Sequence, residues 1–134
     1  VLENSNPLLV PLSITVETSL RRNYLDKLKN AGALGRLLAR QAEAFAEDEK
    51  MEEKFGKTCK GLPKDHINFQ HDPLTCAIAL GYSEGIEIKE IPLILEEKNG
   101  LLYEIVDDRG KIFKVVTKID GPKFNKFWLN LVTK

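Results

Sequence analysis

The sequence lacks the features that mark several large classes of protein. Its 134 residues hold no apolar run near the roughly 20 residues that a membrane helix requires, and its first residues show no basic stretch followed by an apolar core. Twenty basic residues balance 20 acidic ones, so the cationic excess that displaces counterions from nucleic acid is absent. We therefore expect a soluble, cytoplasmic protein that binds neither membranes nor nucleic acid.

Cysteine and histidine are scarce. The two cysteines, Cys59 and Cys76, are too few for a disulfide framework and are typical of free cytosolic thiols. Together with His66 and His71 they have the right chemistry for zinc, but their spacing matches none of the usual short Cys-Cys or His-His pairs. We interpret Cys76 more simply, as a small residue on the buried side of a short helix.

Common catalytic signatures are also missing. No serine lies in a Gly-x-Ser-x-Gly turn, and the sequence contains neither a Gly-x-Gly-x-x-Gly pattern nor a phosphate loop. The Glu-rich run over residues 43–53 is typical of a solvated helix face. The sequence therefore carries no serine-hydrolase or nucleotide-loop signature.

The chain does contain enough apolar sequence for one modest domain, with 43% hydrophobic and 30% charged residues. Residues 8–14 form a continuous apolar run, which predicts a strand buried in a parallel sheet, although Pro11 lies within it. Helical spacing predicts one helix from Thr15 or Thr18 to about residue 29, and a longer one over residues 34–55. Residues 57–70 are predicted as a loop, and residues 73–80 as a short helix.

From residue 86 the apolar period changes from helical to alternating. Residues 86–95, 101–106 and 112–119 are predicted as three strands, joined by a hairpin turn at Asn99-Gly100 and a second turn over residues 107–110. Pro122 opens a final amphipathic helix. The pattern predicts an α/β fold, in which a mixed sheet with flanking helices ends in a β-meander and a helix.

The first predicted strand has no evident parallel neighbour. A parallel pair requires a crossover connection, and the next predicted strand is distant and of a different type. We therefore expect the chain to complete a larger sheet whose other strands lie upstream of Val1. On this interpretation, residues 1–134 are one portion of a single domain, with the N-terminal half absent.

The densest polar cluster covers residues 65–74 and contains both histidines. Within it, Asp72 followed by Pro73 is typical of a helix start, with the aspartate as N-cap and the proline at the first helical position. Helix capping is therefore enough to explain this cluster without any functional role. The cluster is nevertheless the best candidate in the sequence for a functional site.

Residues 71–74, His-Asp-Pro-Leu, resemble the C-terminal signature of the inosine-uridine nucleoside hydrolases, which stands at the start of a helix. Residues 10–15, Val-Pro-Leu-Ser-Ile-Thr, resemble the family's Val-Pro-Leu-Asp-Val-Thr strand, with Ser13 in place of the usual aspartate. The apolar helix after the motif, the strands from residue 86 onward and the last helix follow in the family's order. The resemblance therefore covers essentially the whole chain.

The resemblance implies roles for two residues. Asp72 matches the family's C-terminal calcium ligand, and His71 matches the histidine credited in many members with protonating the departing base. Such enzymes hydrolyse the N-glycosidic bond of ribonucleosides, with a metal-bound water as nucleophile and a general acid at the leaving group. The family's aspartate-rich motif, Asp-x-Asp-x-x-x-Asp-Asp, and its mid-chain ribose-binding Glu and Asn do not occur in this chain.

The resemblance thus implies part of a nucleoside hydrolase whose complete form holds Ca²⁺, binds a ribonucleoside substrate and is a homo-oligomer. We expect this chain alone to be inactive, because one aspartate supplies too few of the six to eight oxygens that calcium takes. The alternative is a non-enzymatic α+β module that keeps the fold, with Asp72 reduced to a helix cap.

Overall fold

The computed structural model describes residues 4–134, which form a mixed α/β structure. The first half of the chain contains β1 (Leu8–Leu9), α1 (Leu12–Thr15), β2 (Ser19–Arg21), α2 (Leu25–Lys29), α3 (Ala33–Asp48) and β3 (His66–Phe69). The second half contains α4 (His71–Ala79), β4 (Glu87–Lys98), β5 (Leu101–Val106), β6 (Lys111–Lys118) and α5 (Gly121–Val132). A 3₁₀ turn (Arg22–Tyr24) precedes α2, and a π-helical turn (Glu52–Gly56) follows α3.

The main sheet joins the two ends of the chain. Its strand order is β1-β6-β4-β5, and β1 pairs in parallel with β6, with Leu8 opposite Lys114 and Leu9 opposite Val115. The first strand therefore finds its parallel neighbour within this chain, and the expectation that it has none is wrong. That expectation considered only the next strand along the sequence, whereas the pairing brings together the first strand and the last.

β1 is much shorter than the strand predicted over residues 8–14. The carbonyl oxygen of Pro11 accepts hydrogen bonds from the amides of Ile14 (3.0 Å) and Thr15 (3.2 Å), so the chain turns into α1 directly after the proline. Proline has no amide proton to donate to a sheet ladder. The strand therefore ends before Pro11, and a helical turn takes the place of its second half.

The predicted β-meander is also wrong, because β6 does not turn back against β5. Both strands run antiparallel to β4: β5 pairs with residues 93–98 and β6 with residues 87–93. Between them the Asp107 carboxylate accepts hydrogen bonds from the amide and the guanidinium of Arg109, and the Gly110 amide donates to the Asp107 carbonyl at 2.8 Å. This closed loop returns the chain to Leu93 of β4, which pairs with the end of β5 and with the start of β6. β6 then runs in the same direction as β5.

Two local signals are confirmed. Asn99 and Gly100 have φ values of 54° and 76° and join β4 to β5 as a hairpin, which is the geometry that a type I′ turn requires. The last helix begins as expected, with Pro122 in its first turn. The Asp120 side chain caps this helix by accepting a hydrogen bond from the Lys123 amide at 2.9 Å.

The segments around residues 18–29 and 57–70 differ most from the sequence prediction. Instead of one helix, the first segment contains β2, a 3₁₀ turn and α2, and β3 lies where a loop was expected. β2 and β3 pair antiparallel, with Ser19 opposite Phe69 and Leu20 opposite Asn68. Pairing between distant segments has overridden the local helical spacing, as is common for strands.

Two apolar clusters fill the interior. The first packs α2 and α3 against β2, β3 and α5, and its buried members are Leu20, Leu25, Leu28, Ala39, Ala42, Ala46, Met51, Ile67 and Leu129. The second lies between the sheet and α1, α4 and α5, and comprises Ile14, Leu74, Val116, Ile119 and Phe124. Trp128 packs against both clusters, so α5 joins the two halves. Within residues 4–134, no helix has both the length and the apolar character to cross a membrane.

Gly121 at the start of α5 offers a test of this packing. A Cβ added there would lie 2.1 Å from the Glu17 carbonyl oxygen, and backbone atoms yield little. We expect Gly121→Ala to lower the free energy of unfolding by about 1–3 kcal/mol, the usual range for overpacking, measured by urea denaturation. The control is Gly32→Ala, since no atom lies within 4 Å of the added Cβ; a loss there equal to that at Gly121 would contradict the proposed close contact.

Candidate active site

His71 is the first residue of α4, and its imidazole is held by a residue from α1. His71 Nδ1 lies 2.7 Å from Thr15 Oγ1, and the Thr15 hydroxyl donates to the Leu12 carbonyl at 3.1 Å. A hydroxyl has one proton, so a Thr15 hydroxyl that donates to Leu12 accepts from a protonated Nδ1 of His71. In that arrangement Nε2 is the ring nitrogen left to a ligand.

Asp72 is the second residue of α4 and does not cap the helix. Gln70 holds the N-cap position instead: its backbone is non-helical (φ −105°, ψ 51°), and its carbonyl accepts the Leu74 amide at 3.1 Å. Asp72 is exposed, and within the described part of the chain its carboxylate has no ion-pair or hydrogen-bond partner. A negative charge in the first turn is favoured by the helix dipole, even without a capping bond.

Aromatic rings border His71 on the β3 side. The Phe69 ring stacks on the His71 imidazole, with centroids 5.2 Å apart and an interplanar angle of 24°. Phe69 also contacts the His66 ring at 4.3 Å and the Phe55 ring at 5.4 Å. These rings enclose the imidazole of His71 on its β3 side.

The buried polar residues gather beside this site. They are Thr15, Thr18, Ser19, His66, Gln70 and Asn125, and we call this set the polar seam. Its bonds cross between segments: the Gln70 amide donates to the Thr18 carbonyl at 3.1 Å, and Asn125 Nδ2 donates to the Ser19 carbonyl at 3.0 Å. Sequence reasoning missed the seam, because these residues become neighbours only through the pairing of β2 with β3.

Within the seam, His66 is fully buried and its Nδ1 shares a hydrogen bond with Ser19 Oγ. Burial lowers the pKa of His66 from 6.5 to about 4, because the imidazolium loses its hydration; Asp65 opposes this shift and His71 adds to it. His66 Nε2 is buried without a hydrogen-bond partner among the residues that the structure describes. His66 is therefore a neutral residue of the interior at pH 7.

A cleft of about 520 Å³ opens beside His71 and Asp72. Gln70, His71 and Asp72 form the wall at the start of α4, and Asn68 and Phe69 continue it along β3. The facing wall comes from α3 and α5 and contains Leu38, Gln41, Phe45 and Trp128. The volume lies within the range of small-molecule sites, and the lining combines apolar rings with a few polar groups, as such sites usually do.

The zinc candidates are not brought together. Cys59 and Cys76 are both free and exposed, so Cys76 does not lie on the buried side of α4 as expected. Leu74 and Ala77 fill that side instead, and Cys76 falls on the outer face of the helix. Among residues 4–134, no group of three or more His, Cys, Asp or Glu side chains is arranged to hold a metal ion.

No protein-family model matches the chain, and no curated protein sequence matches it. The resemblance to the nucleoside hydrolases therefore rests on residues 10–15, residues 71–74 and the order of the elements around them.

The buried state of His66 predicts acid sensitivity. The unfolded chain binds a proton at the ordinary pKa of 6.5, whereas the folded protein does so only near pH 4. Acidification across this window therefore favours unfolding: the loss of stability is negligible above pH 6.5 and grows to about 3 kcal/mol by pH 4. Urea unfolding of the wild type and of His66→Asn, which keeps a hydrogen-bonding side chain that does not titrate, measures the difference.

Carboxylates that titrate in the same window are common to both proteins and cancel in this comparison. A wild-type curve parallel to that of His66→Asn between pH 6.5 and 4 would contradict the buried, neutral histidine.

Proposed function

We propose that this chain carries the leaving-group side of an N-ribosyl hydrolase, which cleaves ribonucleosides to base and ribose. The observation that supports the proposal most is the hydrogen bond between His71 and Thr15, two residues 56 positions apart in the sequence. Each belongs to one of the two stretches that resemble the nucleoside hydrolases. Sequence order alone does not bring these two stretches together, so their contact supports a shared site.

The chemistry assigned to His71 is general-acid catalysis. Breaking an N-glycosidic bond leaves negative charge on the base, and a proton delivered to the base relieves it. Thr15 accepts from Nδ1–H, so an imidazolium at His71 keeps that bond and presents its second proton on Nε2. The stacked Phe69 ring fixes the plane of the imidazole. Both contacts orient the acid before the substrate arrives.

Asp72 is proposed as one ligand of a calcium ion, and no further metal role is assigned to this chain. Calcium takes six to eight oxygens, and the described residues provide no cluster of acidic side chains around Asp72. These residues alone therefore do not fit the ion. The proposal requires an aspartate-rich segment to complete the site, and the homo-oligomeric and cytoplasmic state of such an enzyme belongs to the same proposal.

The alternative of a non-enzymatic module gave Asp72 the role of helix cap. Gln70 occupies the cap position, and the exposed Asp72 carboxylate makes no hydrogen bond to the helix. The capping explanation of the Asp72-Pro73 pair is therefore wrong, and the alternative loses the structural role that it offered for this residue. A favourable interaction with the helix dipole remains open to Asp72 in such a module.

The proposed acid predicts a difference between substrates in an enzyme that includes the aspartate-rich segment. His71→Ala should slow inosine hydrolysis by about 10²–10⁴, the usual contribution of a general acid. A nitrophenyl riboside should be nearly unaffected, because nitrophenolate departs without a proton. The measurement is the ratio of kcat/KM for the two substrates.

The matched control is His66→Asn, which alters the chain's other histidine. Its effect should be alike for both substrates, because His66 is buried and serves the fold. Equal slowing of both substrates by His71→Ala would show that His71 is not the acid.

A further inference from the structure

Gln70 has the clearest unmet hydrogen-bonding capacity at the site. Its side chain is 3% exposed, and neither amide atom, Nε2 or Oε1, has a hydrogen-bond partner among the residues that the structure describes. Its backbone is fixed, because the Gln70 amide binds the Thr18 carbonyl and its carbonyl accepts from Leu74. A buried amide without partners costs free energy, because its polar atoms have lost hydration and gained no hydrogen bond in exchange. A ligand that supplies these partners recovers that free energy.

The cleft beside Gln70 specifies the shape of such a ligand. Three aromatic side chains line it: Phe45 and Trp128 on one wall and Phe69 on the other. Aromatic faces bind flat rings by stacking, as they do nucleobases in complexes with nucleic acids. A primary amide offers a donor and an acceptor in one plane, so it pairs with a ring edge that carries an acceptor next to a donor.

We propose that Gln70 is a specificity-determining residue that reads the donor–acceptor edge of a nucleobase bound in this cleft. Gln70 lines the cleft, but its amide atoms are buried beneath that surface, so the proposal requires the side chain to turn toward the ligand. Bases with an N–H beside a carbonyl, such as hypoxanthine and uracil, form both hydrogen bonds. 9-Methylpurine has a similar size and ring system to 9-methylhypoxanthine but lacks the adjacent N–H and carbonyl, and the methyl group on each removes the N9–H that would otherwise form a donor–acceptor edge with N3.

The inference rests on the proposed function for the identity of the ligand. Gln70 immediately precedes His71, and both line the same wall. A base whose edge is held by Gln70 lies beside the imidazole, so the residue fixes the orientation in which the leaving group meets its acid. Gln70 therefore acts on the choice of base, whereas His71 acts on the departure of the base.

The test is titration of the ¹⁵N-labelled chain with 9-methylhypoxanthine and with 9-methylpurine, followed by NMR. We expect 9-methylhypoxanthine to bind about tenfold more tightly than 9-methylpurine, in line with the strength of hydrogen bonds to a desolvated amide, and to shift the amides around residues 68–72. Gln70→Met keeps the side-chain length and removes both hydrogen-bonding groups. It should bring the ratio of the two dissociation constants close to one, with a melting temperature no lower than that of the wild type.

The control is Gln41→Met, the same substitution at an exposed amide on the facing wall, which should leave the ratio unchanged. Equal affinities for the two bases in the wild type, or a ratio that survives Gln70→Met, would overturn the proposal. If Gln70→Met fails to fold, the ratio of the two dissociation constants in the wild-type chain still tests the proposal. If a base binds through Gln70 but the complete enzyme does not hydrolyse ribonucleosides, the proposed function is refuted and this inference stands. If the complete enzyme hydrolyses ribonucleosides with the same base preference after Gln70→Met, this inference is refuted and the proposed function stands.

Discussion

The antiparallel pairing of Ser19–Arg21 with His66–Phe69 is the contact on which the candidate site depends. It places the end of α1 against the start of α4, so that Thr15 reaches His71 and the Thr18 carbonyl receives the Gln70 amide. The ribbon has only a few rungs, and a two-stranded ribbon is marginal by itself. Its stability comes from the apolar cluster around α2, α3 and β3, to which Leu20 and Ile67 contribute one buried side chain from each strand.

The polar seam follows from the same contact. Buried polar groups are normally paired, and a few unpaired ones in one place call for an explanation. Here unpaired atoms occur on His66, Gln70 and Asn125 around the ribbon and on Tyr82 beside α5, and of these residues Gln70 lines the cleft that contains His71 and Asp72. Native proteins tend to break local rules where they bind or react. Burial marks Gln70 and the sequence motif marks His71 and Asp72, and these residues are neighbours at the start of α4.

The parts of the fold that sequence predicts are those set by neighbouring residues. The Asn99-Gly100 turn needs positive φ at two adjacent positions, and the start of α5 needs Asp120 and Pro122 in the right order. The ribbon depends on residues 47 positions apart, such as Ser19 and His66, and no local pattern marks it. Local reasoning likewise placed Asp72 at the helix cap, because it could not include the Thr18 carbonyl, which fixes Gln70 two residues earlier.

For the site, the sequence identified His71 and Asp72 but not the residues that position them. Thr15 entered only as part of a matched strand, and the structure places it in α1, where its hydroxyl reaches His71. Phe69 lay in a predicted loop, whereas β3 holds its ring against the imidazole. Orientation of a catalytic group comes from residues brought in by tertiary structure, so a one-dimensional motif does not reveal it.

The central claim is that Thr15 fixes the protonation geometry of His71, because the Leu12 carbonyl takes the hydroxyl proton. ¹⁵N chemical shifts of the imidazole nitrogens in the labelled chain test this claim directly, since they distinguish the two neutral tautomers. The account predicts that neutral His71 carries its proton on Nδ1 and that Nε2 is unprotonated. A neutral His71 protonated on Nε2, with Nδ1 accepting from the Thr15 hydroxyl, would contradict it.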